Sequence, residues 1–99
     1  MELPSEGRQQ LSGVMARAIQ LASDDFRPLD AKPHRGANPL EECLYRRESF
    51  DVLAAPGPDG IMFVSFSFNA DACPPGGPIA DAGATYAIDV KRWRILAVE

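Results

Sequence analysis

Histidine and tryptophan occur once each, as His34 and Trp93, and cysteine twice, as Cys43 and Cys73. With no C-x-x-C or H-x-x-x-H spacing among them, a zinc site is not expected, and the chain is read as needing no cofactor and no metal. In an oxidising compartment the two cysteines could pair; in a reducing cytosol the expectation is two free thiols. Long apolar runs are also missing, so nothing is expected to span a membrane. Residues 1–7, MELPSEG, lack the basic n-region and apolar h-region of an export signal. The chain is therefore read as cytoplasmic. Basic residues are outnumbered, ten Lys and Arg against fourteen Asp and Glu, for a formal charge of −4. Nucleic-acid binding needs a basic face to neutralise phosphates, so that class is disfavoured, while a basic partner is favoured.

What is present suits one small globular domain of 99 residues with 45% hydrophobic residues. Leu11, Val14, Met15, Ala18, Ile19, Ala22 and Phe26 recur at steps of three and four, which predicts an amphipathic helix over residues 5–26. Ser5 would cap its first turn, and Gly13 would weaken its middle. Asp24 and Asp25 sit poorly at its negative end, and Pro28 ends it. Residues 27–45 read as a loop followed by a short helix. There Asn38 has the chemistry of an N-cap, and Pro39 and two acids follow it.

Strands are predicted over residues 48–54, 61–68, 84–90 and 93–98. In the second, Met62, Val64, Phe66 and Phe68 make the core face, and Ile61, Phe63, Ser65 and Ser67 the other. Pro56-Gly57-Pro58-Asp59-Gly60 is a turn cluster. One apolar helix stripe and one apolar sheet face need each other. The expected fold is α+β: an N-terminal helix packed on an antiparallel meander of about four strands, in two layers.

Between the second and third strands lie fifteen residues, NADACPPGGPIADAG, where a hairpin usually needs about two to five. This loop, residues 69–83, carries three prolines, with Cys73 and Ile79 framed by Asp71 and Asp81. It has no His, no basic residue and no phosphate-binding pattern. A stiffened, acidic-rimmed loop suits contact with a basic partner; slack is the competing reading. For catalysis, a Cys73–His34 dyad is the best pair on offer, although neither residue sits in a known catalytic motif. The acid pairs Asp24-Asp25 and Glu41-Glu42 read as solvated helix ends. Arg46-Arg47 and Lys91-Arg92-x-Arg94 read as solvated strand edges that discourage strand pairing. Trp93 reads either as a core aromatic covering the end of the sheet or as an exposed anchor for a partner.

The tail, GATYAIDVKRWRILAVE, carries a resemblance through Gly83, Tyr86, Ile88, Asp89, Ile95 and Leu96. It resembles the closing hairpin, G-x-x-Y-x-I-D-x-x-T-G-x-I-L, of small bacterial toxin-immunity families with cystatin-like folds, and of PepSY-type inhibitory domains. Arg92-Trp93 stands where those families have Thr-Gly, so a left-handed turn position here would cost about 1 kcal/mol or more. The resemblance implies a cytoplasmic, non-enzymatic protein that binds a cognate toxin or effector and covers its active site. The partner-binding residues expected are Asp71, Pro74, Pro75, Ile79 and Asp81, with Trp93 and Arg94. Two other classes stay open: a small-molecule-binding or enzymatic α+β domain with a pocket between helix and sheet, and a structural assembly module using a strand edge.

Overall fold

The computed structural model describes residues 1–76 and 82–99. The chain runs α1 (Gly13–Phe26), α2 (Pro39–Cys43), a 3-10 turn (Arg47–Ser49), β1 (Phe50–Pro56), β2 (Ile61–Phe68), a second 3-10 turn (Ala70–Ala72), β3 (Ala84–Asp89) and β4 (Arg94–Val98). The strands form one open antiparallel sheet in the order β1-β2-β3-β4, with α1 across one face. This is the expected two-layer α+β meander.

The helix begins eight residues later than its apolar spacing suggests. Ser12, not Ser5, is the N-cap, and its hydroxyl accepts from the Met15 amide at 3.1 Å. Gly13 is thus the first helical residue, where its low propensity costs least, rather than a weak middle. The stripe's first two members, Leu11 and Val14, are exposed because the sheet does not extend beneath them. The layers meet at Ala18 and Ala22, both fully buried. Two small side chains let the helix lie close over Val64 and Ile88, which are also fully buried. Phe26 then stacks on Phe66 with ring centres 4.5 Å apart and meets Phe50 edge-on at 4.9 Å. Such aromatic pairs add about 0.5–1.5 kcal/mol each beyond area burial. Side chains of both layers therefore pack against one another between helix and sheet.

The negative end of α1 is held by two arginines. Arg47 donates to Asp24 at 2.7 Å and to the Arg27 carbonyl at 2.7 Å. Arg27 donates to the carbonyls of Leu44 and Phe26, with its guanidinium over the Phe26 ring. Arg47 is therefore a clasp between helix and sheet, not a solvated strand edge. Its hydrogen bond, with that of Gln20, holds the Asp24 carboxyl below the usual range. Asp25 is used as well: the buried Tyr86 hydroxyl donates to it at 2.8 Å.

In the β1–β2 turn, Asp59 and Gly60 both have positive φ, 56° and 75°, as a type I′ hairpin turn requires. The register aligns Phe50 with Phe68, Met62 with Ile88, and Tyr86 with Val98. A bulge in the last pair brings Ala97 opposite Ala87 but Ile95 opposite Ile88, leaving Leu96 as the extra residue. Residues 1–12 have no regular structure and are exposed. They help raise the radius of gyration to 15.3 Å, where a compact chain of this length has about 13 Å.

Candidate functional site

The long loop starts under tight local control. The Asn69 amide donates to the Ser49 carbonyl at 2.9 Å, and its side chain accepts from the Asp71 amide at 3.0 Å, capping the Ala70–Ala72 turn. Cys73 then forms a disulfide with Cys43, the last residue of α2, with Cα atoms 5.8 Å apart. The two sulfurs are joined, which corrects the expectation of two free thiols. Cytosolic reduction was the premise of that expectation. What brings the cysteines together is tertiary: the capped α2 packs Leu40 and Cys43 inward, beside the end of β2. Ser49 completes the corner by donating to the Cys43 carbonyl at 2.6 Å.

Beyond the bridge, Pro74, Pro75 and Gly76 turn back over α2. A Cβ on Gly76 would lie 2.5 Å from the Leu40 Cβ, so this position accepts only glycine without movement. Together with Phe68 and Ala70 these residues enclose an open, mostly apolar cleft of about 250 Å³. Its sides are Leu40 and the disulfide, and its rim is Pro74 and Pro75; Asp71 is exposed in the turn that precedes Cys73. Among the described residues, those that line the cleft include no general acid or base. With its sulfur in the bridge, Cys73 has no thiolate to offer. His34 is engaged elsewhere, its Nε2 lying 2.6 Å from Glu41 Oε2. That hydrogen bond raises the imidazole pKa and lowers the Glu41 pKa. The Cys73–His34 dyad is therefore not formed. Glu41 also accepts from the Asn38 amide and so closes the capping box of α2.

Of the residues singled out from the sequence, the structure places Pro74 and Pro75 on this cleft, with Asp71 exposed in the turn before it. Ile79 and Asp81 lie outside the described residues. Trp93 and Arg94 are at the far end of the sheet: Phe66 opposite Ala84 marks the loop end, and Ile61 opposite Asp89 the other. Across β2 these ends are separated by about 3.3 Å per residue over most of the strand, too far for one small contact.

At that far end Trp93 is half-buried, in the left-handed region with φ 55°. A bulky residue in that region costs about 1–2 kcal/mol. Two interactions hold it. The indole packs against the core, and the Arg17 guanidinium lies 4.2 Å from the ring centre. Asp89 organises the turn beside it. One carboxylate oxygen accepts from the Lys91 and Arg92 amides at 2.9 and 3.2 Å; the other faces Arg92 at 3.2 Å and Arg94 at 3.9 Å. The Lys91 amide hydrogen bond leads the effects that lower the Asp89 pKa.

A third surface went unremarked in the sequence. On the sheet face away from the helix, Ala55, Phe63, Ala87 and Ala97 align in register across all four strands. Alternation marks these positions as outward, but only the register shows that they form one row. Leu53, beside it, is 71% exposed. No family model, curated protein or solved structure matches the chain.

Proposed function

We propose that this domain is a non-enzymatic immunity protein or inhibitor that covers the active site of a cognate toxin or effector with its loop end. One observation carries the reading: the disulfide and the close approach of Gly76 to Leu40 hold an exposed, apolar, proline-lined shelf at the start of the loop. A shelf fixed before contact loses little entropy on binding, which is the main cost of using a loop as an interface. Asp71, exposed in the turn that leads into the shelf, favours a partner that is basic where it touches. The same disulfide is kept in an oxidising compartment, so we assign the protein's action to such a compartment in place of the cytosol.

The test is toxicity and rescue. Products of the genes flanking this one are expressed singly in bacterial cells, then together with this chain directed to the same compartment. A toxic neighbour rescued by the chain is the expected result. The Pro74→Arg/Pro75→Arg variant, which places positive charge on the shelf, should lose the rescue. Full rescue by that variant would sink the shelf assignment, and the lack of any toxic neighbour would sink the immunity reading.

The row Ala55, Phe63, Ala87, Ala97 and the unpaired side of β4 favour a second reading, a structural assembly module. A mass in solution above that of one chain, reduced by Phe63→Glu, would support it.

A further inference from the structure

The end of the sheet opposite the shelf differs from it in charge. Lys91, Arg92 and Arg94 project from the β3–β4 turn, and Arg17 joins them from α1 across the Trp93 ring. Against these four cations the two adjoining turns carry Asp59 and Asp89, and Asp89 is buried under Arg92 and Arg94. The chain as a whole is acidic, with fourteen carboxylate side chains to ten cations. Four of those ten cations thus belong to this turn, the residue that follows it and the Arg17–Trp93 contact beside it. The Arg92 and Arg94 side chains stay accessible, 68% and 64% exposed.

The neighbourhood fixes this cluster in place. The Val90 amide donates to the Gly60 carbonyl at 3.0 Å, joining the two turns, and the Lys91 stem lies against Gly60. Asp89 holds the amides of Lys91 and Arg92, so the turn that displays the cations does not need to reorganise on contact. A bulky side chain with positive φ persists only where its surroundings over-determine it, and such positions cluster at contact sites. Tryptophan and arginine are also the residue types that dominate binding energy at protein interfaces.

We propose that Lys91, Arg92, Trp93 and Arg94, with Arg17, form a docking surface for an acidic segment of a partner protein. A protein segment is favoured over a nucleic acid for two reasons. One face of the indole is covered by Arg17 and is closed to base stacking. The basic area is also one turn wide on an acidic molecule, which suits a short acidic stretch and repels a long polyanion. This surface is separate from the shelf, and it does not depend on the inhibitor reading.

Trp93 is the single tryptophan, so its fluorescence reports on this surface alone. The probe is a short synthetic peptide of alternating glutamate and alanine, compared with its glutamine counterpart and with an oligothymidylate of matched length. The acidic peptide should produce a saturable fluorescence change that weakens as salt rises from low to physiological. Arg92→Gln/Arg94→Gln should weaken it by about tenfold or more, as truncating charges at a complementary interface does. Lys91→Gln/Arg17→Gln should also weaken it, and leaves the side-chain contacts of Asp89 intact. Pro74→Arg/Pro75→Arg should leave it unchanged. No saturable change, equal affinity for the glutamine peptide, or undiminished affinity in both cation variants would overturn the proposal. Tighter binding of the oligothymidylate would reassign the surface to nucleic acid.

Discussion

The Tyr86 side chain joins the two layers at one atom. Its ring lies edge-on to Phe66, with centres 5.7 Å apart, and its hydroxyl donates to Asp25 on α1 at 2.8 Å. Burial, and then the hydrogen bond to Asp25, raise the tyrosine pKa in the fold. The sign follows from linkage. The folded state keeps this proton more tightly than the unfolded chain, whose tyrosines release theirs near pH 10. The stability this gives is present in full below about pH 10 and is lost as pH rises through the folded-state value. Urea unfolding followed at increasing alkaline pH should therefore show a falling midpoint. The Tyr86→Phe variant should start lower at neutral pH, by about 1.5–3 kcal/mol for a hydrogen bond to a charged group, and should lack the Tyr86 share of the alkaline fall. An alkaline profile unchanged by the substitution would remove Tyr86 as its source. The sequence showed Tyr86 as a residue of the third strand. It did not show what its hydroxyl reaches, because Asp25 is 61 residues away and the pairing depends on how the helix crosses the sheet.

Elements that follow from short-range chemistry were legible. The alternation in residues 61–68 gave β2 both its bounds and its core face, and Asn38-Pro39 marked the start of α2. The disulfide was not legible, because pairing depends on Cα separation, which only the packed α2 and loop define. Its effect on stability comes mainly through the unfolded chain. A bridge across 30 residues removes loop-closure entropy worth about 3–4 kcal/mol in the chain-entropy model. Adding reductant, or substituting Cys43→Ser/Cys73→Ser, should lower the urea midpoint accordingly. Amide exchange should rise first in residues 70–76 and α2, while β2 and β3 stay protected until global unfolding. Uniform loss of protection would mean that the bridge holds the whole fold and not this corner. The β3–β4 turn gives a second test at this scale. Asp89→Ala removes the acceptor for two amides and the partner of two arginines, whereas Asp89→Asn keeps an acceptor and loses the charge. The alanine variant should be the less stable of the two. The native turn should also weaken as pH falls through the folded-state pKa of Asp89, which lies below its unfolded value, so that stability is present above the unfolded value and lost on acidification. Equal midpoints for the two variants would rule out the amide contacts as the organising interaction.

At the scale of the whole molecule, the first twelve residues test where the folded unit begins. Their apolar spacing joins smoothly to that of α1, and Ser5-Glu6 has the form of a helix start, which is why periodicity alone carried the helix back to residue 5. Periodicity reports which face a segment would bury, not whether there is a surface to bury it against. The sheet supplies that surface from Met15 onward, and Leu3 and Leu11 remain exposed. Without tertiary cover, a few added helical residues cannot recover the entropy of ordering them. Deleting residues 1–11 while keeping Ser12 should therefore leave the urea midpoint unchanged. It should also leave the total far-UV helical signal per molecule unchanged and reduce the radius of gyration seen by X-ray scattering. Extending the deletion through Ser12 should then cost about 1 kcal/mol, the usual value of an N-cap side chain. These two truncations differ by a single residue, so the step between them isolates the cap. A loss of helical signal already in the shorter deletion would show that the helix extends beyond Ser12 in solution and that the apolar stripe at Leu11 is in use.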